Sequence, residues 1–266
     1  MIMRTINCDM RGPILTAIAG ICILLQCAAA SAQSIAVPSY FYPGALWTQL
    51  GDGAPTATLG IINPNSGPGV SQDSNYVSAT NTARAKGVRV IGYVYTSYGA
   101  RASSAVKADI DTYYNWYTLD GIFLDEVDTD CLNEPYYAAL NTYIKTKGGI
   151  GLTVLNPGTF PDECYMAAGD IVCTYEDNYA NYIGLTSPAW VANYSARRFW
   201  HIIYNTTSGN VANALSLARA RNAGYVYVTN DSGANPYDTL PSYWAAELTG
   251  ADPAFVPVTL SFLSIN

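Results

Sequence analysis

Short runs of large apolar residues recur along the chain. Between them lie stretches whose apolar positions fall at helical spacing. The runs predict strands over Ser34–Tyr42, Thr58–Ile62, Gly87–Thr96, Leu119–Asp128 (centred on Ile122, Phe123 and Leu124), Gly151–Leu155, Ile171–Tyr175, Arg198–Tyr204 and Tyr225–Thr229. Consecutive apolar residues of this kind suit strands buried on both faces, as in a parallel sheet. The intervening stretches predict helices over Leu46–Leu50, Ser74–Lys86, Ser103–Trp116, Asn133–Lys147, Asp162–Ala168, Pro188–Tyr194, Val211–Asn222 and Leu240–Leu248. In the third of these, Val106, Ile110, Tyr113 and Tyr114 share one face. Gly148-Gly149 and Gly224 stop two others. Phe255–Leu263 alternates weakly and reads as an extra strand or a cover.

Eight strands alternating with helices imply a closed (β/α)8 TIM barrel in the α/β class, built as a single domain over residues 33–266. An open doubly wound sheet is the alternative. It usually carries a Gly-rich phosphate fingerprint after its first strand, and none is present.

Composition sharpens this picture. Half of the 266 residues are hydrophobic and 12% are charged, so the chain has a large core. A net charge of -7 argues against a nucleic-acid partner and suits a neutral or cationic one. Residues 1–32 read as a secretory signal: Arg4 and Arg11, an apolar run from Pro13 to Leu25, and the small-x-small site Ala30-Ser31-Ala32. The competing reading is a membrane anchor. Cleavage before Gln33 leaves a secreted protein, extracellular or periplasmic, with no stable membrane association. A monomer is expected. Cys131, Cys164 and Cys173 remain after cleavage. Cys131 follows strand four and Cys164 follows strand five, so these two are expected to bridge, with Cys173 buried and free.

Strand four ends in Asp125 and Glu126. Acids at the C-terminal end of a greasy parallel strand are expensive to place without partners, and that end is where ligands bind. A helix N-terminus near Cys131 accounts for Asp128 or Asp130 as caps but leaves Asp125 and Glu126 unexplained. Strand six ends in Glu176-Asp177. Alternation from Thr174 turns Glu176 toward the barrel axis; its bland reading is a cap or a rim ion pair. Amides and phenols end the other strands: Tyr40, Asn63, Tyr93, Tyr95, Asn156, Tyr204 and Asn230. Tyr93, Tyr95 and Tyr227 are candidate sugar platforms, although packing explains any one of the 22 tyrosines taken alone. His201, the sole histidine, reads as buried and hydrogen-bonded, with a reach toward the substrate. Two carboxyl groups flanking a bond are what glycoside hydrolysis needs. No GxSxG elbow, P-loop or HExxH appears. No cofactor and no metal is expected. Glu126, Asp128 and Asp130 alternate as in a calcium loop, but the turn glycine is missing.

Four motifs together resemble the spherulin-4-like proteins, glycoside hydrolase family 135. They are Ile62-Asn63-Pro64-Asn65-Ser66-Gly67-Pro68-Gly69, Gly121-Ile122-Phe123-Leu124-Asp125-Glu126, Leu155-Asn156-Pro157-Gly158 and Tyr175-Glu176. The resemblance implies a (β/α)8 barrel and an endo-acting hydrolase of α-1,4-linked N-acetylgalactosamine, as in galactosaminogalactan-type exopolysaccharides. It carries the family's acids over to Asp125, Glu126 and Glu176. The partner is then a polysaccharide, partly deacetylated and cationic where the acidic chain meets free amino groups. A retaining mechanism is expected, with Asp125 as nucleophile or stabiliser, Glu176 as acid then base, and Glu126 tuning or orienting them. Assistance by a substrate acetamido group is the alternative to direct attack. A non-catalytic carbohydrate-binding or coat protein on the same scaffold is the second class of function.

Overall fold

The computed structural model describes residues 33–252. The proposed signal segment and the 255–263 tail lie outside the described residues. Eight parallel strands close into a barrel in sequence order: β1 (Ser34–Val37), β2 (Ala57–Ile62), β3 (Arg89–Tyr95), β4 (Gly121–Asp125), β5 (Leu152–Leu155), β6 (Ile171–Asn178), β7 (Phe199–Tyr204) and β8 (Tyr225–Val228). Helices α1 (Ala45–Asp52), α2 (Ser74–Ala85), α3 (Ser103–Trp116), α4 (Glu134–Lys145), α5 (Tyr165–Ala168), α6 (Tyr179–Tyr182), α7 (Val211–Ala220) and α8 (Trp244–Ala251) fill the connections. This is the (β/α)8 barrel that the alternation of runs implies.

The departures have local causes. β1 stops at Val37 because Pro38 follows and has no N–H to give to a ladder. Tyr40 N–H then turns back to Pro38 O at 3.0 Å, which brings the segment over the barrel mouth. β6 runs to Asn178, three residues further than its apolar run. The stretch expected as a helix over Pro188–Tyr194 is a 3-10 segment, Ala189–Asn193. The last helix starts at Trp244 rather than Leu240, with Trp244 N–H closing a turn on Pro241 O.

Packing of helix on strand is tight where a glycine permits it. A Cβ on Gly92 of β3 would stand 2.8 Å from the Tyr113 ring of α3, so only glycine lets that ring rest on the strand. Tyr113 then donates its hydroxyl to Ile62 O of β2 at 3.2 Å. Inside the barrel, Phe123 stacks on Tyr93 at 6.2 Å and meets Trp200 edge-on at 5.7 Å. Side chains alternate along β4, so this aromatic layer lies directly beneath Asp125.

At the opposite end of β4, Asp120 takes a two-bond fork from Arg84, both at 2.9 Å, and the Val90 N–H at 2.9 Å. That clamp sets the register of β3 against β4 far from the mouth. On the mouth side, Cys131 and Cys164 form a disulfide with Cα atoms 6.0 Å apart, and Cys173 is buried and free. The bridge closes a separation of 33 residues. By chain entropy such a loop is worth on the order of 3–4 kcal/mol. It ties the loop after β4 to the loop after β5.

Glu247 of α8 is fully buried, with Oε1 accepting the Val228 N–H of β8 at 2.7 Å and Oε2 without a partner among the described residues. Burial holds its carboxyl well above the usual carboxylate range, against the smaller opposing pull of that N–H. A raised native pKa gives stability that is full below the unfolded value and is lost as pH rises through the native one. Glu247→Gln keeps the acceptor and has no charge. It should therefore match wild type in acid and melt at a higher temperature than wild type under alkaline conditions. Glu247→Leu orphans the Val228 N–H and should lose about 1–3 kcal/mol in denaturant titrations.

Candidate active site

Three consecutive barrel strands carry the centre of the site. Asp125 ends β4, Asn156 follows the end of β5, and Glu176 lies in the extension of β6. Because β5 sits between β4 and β6, a side chain at its tip can reach both neighbours. Asn156 Nδ2 donates to Asp125 Oδ1 at 2.7 Å and to Glu176 Oε2 at 2.6 Å. Its amide orientation is dictated on both sides, since Oδ1 accepts the Gly158 N–H at 3.0 Å. Gly158 O in turn accepts the Glu176 N–H at 2.9 Å. The Asn156-Pro157-Gly158 turn thus fixes both the side chain and the backbone of the acid pair.

Two phenols complete the carboxylates. Tyr93 donates to Asp125 Oδ2 at 2.8 Å, and Tyr237 donates to Glu176 Oε1 at 2.6 Å. Tyr40 stands edge-on to both rings, 5.6 Å from each. Burial, and then the charges of Asp125 and Glu176, hold the Tyr40 hydroxyl well above the usual phenol range, so it stays neutral. Glu176 is itself raised, first by burial and then by the Asp125 charge; the Tyr237 and Asn156 hydrogen bonds oppose this. Burial and the neighbouring carboxylate thus both favour a proton on Glu176.

Glu126 lies outside the strand, in the left-handed region at φ 52°. Its carbonyl accepts from Thr96 Oγ1 at 2.8 Å and Tyr98 N–H at 2.7 Å. Thr96 Oγ1 also reaches Asp125 O at 2.9 Å and Tyr137 OH at 3.0 Å, so one buried threonine shapes the whole turn. Among the described residues no hydrogen bond or ion pair engages the Glu126 carboxylate. Asp128 and Asp130 serve local turns: Asp128 accepts from Asn133 Nδ2 at 2.6 Å and Asp130 from Leu132 N–H at 2.8 Å. Among the described residues no cluster of three or more His, Cys, Asp or Glu side chains is placed to hold a metal ion.

The remaining sequence candidates separate cleanly. Asn63 Oδ1 accepts the Gly67 N–H at 3.0 Å and shapes its own loop. Tyr95 is half-buried, with the Arg101 guanidinium 4.2 Å over its ring. Tyr204 donates to Asp177 Oδ1 at 2.9 Å, on the rim beside β6. Asn230 Oδ1 accepts from Ser242 N–H at 2.7 Å and braces the loop before α8. Two expectations need correction. Tyr227 is fully buried inside the barrel, its hydroxyl donating to Thr239 O at 3.2 Å, so it offers no ring face to a sugar. His201 is fully buried with both nitrogens engaged, Nδ1 with Tyr182 OH at 2.8 Å and Nε2 with Thr174 Oγ1 at 3.1 Å. Burial, and then the Arg221 charge, lower its pKa to about 3, so it is a neutral structural residue with no reach to the mouth. Tyr237 escaped the sequence reading. It sits in the loop between β8 and α8, and its only signal was a tyrosine after Asn235-Pro236 on the rim, 61 positions from Glu176.

The solved structure of Aspergillus clavatus Sph3 in complex with GalNAc superposes with a TM-score of 0.75 at 24% identity, over 84% of this chain and 98% of that one. Concanavalin B superposes with a TM-score of 0.51 at 14% identity, over 82% of this chain and 97% of that one. At these identities the likeness is one of fold. Sequence carries further: Spherulin-4 of Physarum polycephalum is 40% identical over 224 residues, 79% of this chain and 68% of that protein. The model of the spherulation-specific family 4 matches residues 34–250, and the chain belongs to that family.

Proposed function

We propose that the protein is a secreted, endo-acting glycoside hydrolase of α-1,4-linked N-acetylgalactosamine polymers, including partly deacetylated ones. The observation that carries this reading is the Asp125–Asn156–Glu176 bridge: two part-buried carboxyl groups at the barrel mouth, one with a raised pKa. The GalNAc complex of the fold relative Sph3 supports the choice of sugar. The disulfide and the signal-like N-terminus support secretion.

The facing oxygens of Asp125 and Glu176 lie no farther apart than the two Asn156 bonds, 2.7 and 2.6 Å, laid end to end. That suits the roughly 5–5.5 Å spacing of retaining enzymes better than the roughly 6.5–9.5 Å of inverting ones. Glu176, whose proton is favoured by burial and by the Asp125 charge, gives it to the leaving glycosidic oxygen while Asp125 attacks C1. Glu176 then takes a proton from the water that releases the sugar. Tyr93 and Asn156 spread the Asp125 charge before attack. Glu126, whose carboxylate has no partner among the described residues, accepts from a sugar hydroxyl or a free amine.

Release of reducing ends from a partly deacetylated α-1,4-N-acetylgalactosamine polymer tests the activity and separates it from the non-catalytic binding reading. Asp125→Asn and Glu176→Gln should each lower turnover at least about a hundredfold. Full activity in either folded variant overturns the assignment. Because the Glu176 pKa is raised, its stabilising contribution is full below the unfolded value and lost as pH rises through the native one. Glu176→Gln should therefore melt no lower than wild type at neutral pH.

Tyr237→Phe removes a donor that lowers the Glu176 pKa. The carboxyl should rise further and hold its proton to higher pH. The alkaline limb of the kcat/KM profile should move upward; a downward move, or none, would show that Glu176 is not the acid.

A further inference from the structure

The loop after β3, on the mouth side of the barrel, carries an exposed aromatic side chain, and its main chain is hydrogen-bonded to the residue that follows Asp125. Tyr98 is 62% exposed, and its backbone N–H donates to Glu126 O at 2.7 Å. Its backbone is unusual. Ser97 (φ 49°), Tyr98 (φ 54°) and Gly99 (φ 81°) are left-handed in succession, and two of them carry a Cβ. Such a conformation is unfavourable for serine and tyrosine and persists only where its surroundings impose it.

The surroundings are dense. Ala100 N–H donates to Ser97 O at 2.9 Å and Arg101 N–H to Thr96 O at 3.1 Å. Tyr136 OH holds Arg101 O at 2.8 Å, and Arg101 Nη1 holds Tyr95 O at 3.0 Å. A Cβ on Gly99 would come within 3.1 Å of the Asn133 side chain, so the turn is packed on the segment before α4. The result is a large, half-apolar side chain held outward on a rigid turn, with no core to pack against.

We propose that Tyr98 is an outer sugar subsite: a platform on which a pyranose ring of the polysaccharide stacks, one step along the mouth from the cleaved bond. A phenol ring offers an apolar face with a polar tip, which matches the apolar face and hydroxyl edge of a pyranose. A turn already fixed in place loses little freedom when the sugar binds. The main-chain bond from Tyr98 N–H to Glu126 O ties this turn to the loop that follows Asp125, which argues for the substrate chain as the occupant. The inference rests on the proposed glycosidase reading.

The test is calorimetric binding of a long α-1,4-linked N-acetylgalactosamine oligosaccharide and of the disaccharide to wild type, Tyr98→Ala, Tyr98→Phe and Tyr98→Trp, each carrying Glu176→Gln for the calorimetry so that the ligand stays intact. KM and kcat on the polymer are read in parallel. Tyr98→Ala should lose tenfold or more in affinity for the long ligand and raise the polymer KM equally, with disaccharide binding and kcat unchanged. Tyr98→Phe and Tyr98→Trp should restore both. Equal affinity of wild type and Tyr98→Ala for the long ligand overturns the platform and leaves the glycosidase reading standing. Absence of binding and cleavage by wild type overturns both. Thermal melts of the four proteins report folding, and a loss of disaccharide binding alongside the long ligand in folded Tyr98→Ala also overturns the platform.

Discussion

Two carboxyl groups brought close in a part-buried site are stabilised by a donor that both can share. Here that is the Asn156 side-chain amide, which donates to Asp125 and Glu176 at once. Its place follows from topology: a residue at the tip of β5 is flanked by the tips of β4 and β6. Its orientation follows from the Gly158 N–H, which occupies the amide oxygen and leaves the nitrogen for the carboxylates. The aromatic layer of Tyr93, Phe123 and Trp200 closes the floor below, so the pair is desolvated from beneath and open from above.

The bridge makes the acids neighbours but does not make them equivalent. Glu176 lies where burial and the Asp125 charge both favour its proton. Tyr40 braces Tyr93 and Tyr237 edge-on, so the two phenols that touch the acids are fixed relative to each other. Asymmetry of this kind is how two carboxyl groups take different parts in one reaction.

Much of this was legible in the sequence. The alternation of apolar runs with helical stretches gives the barrel, and acids that end greasy strands give Asp125 and Glu176. Glu176, however, reaches its place by a route that alternation does not describe. β6 shifts register between Cys173 and Tyr175, and Thr174 packs against His201 of β7. Cys173, not Thr174, lies near the acids, with the charges of Glu176 and Asp125 raising its thiol after burial itself. A bulge is a property of two strands together, so one strand's pattern cannot announce it. The tyrosines show the same limit. Composition marks them as candidates, but only packing separates Tyr93, which meets Asp125, from Tyr227, which is sealed inside the barrel. Tyr237 comes to Glu176 from a loop after the last strand, a contact with no local signature.

The proposed double displacement requires the Asn156 bridge to set the separation of the acids. The most direct test is the anomeric configuration of the first-formed sugar, followed by proton NMR from the start of hydrolysis, before mutarotation. Initial release of the α-anomer, the configuration of the cleaved linkage, is the expected result. Initial release of the β-anomer would contradict it, because inversion requires a water between the acids where Asn156 now holds them together.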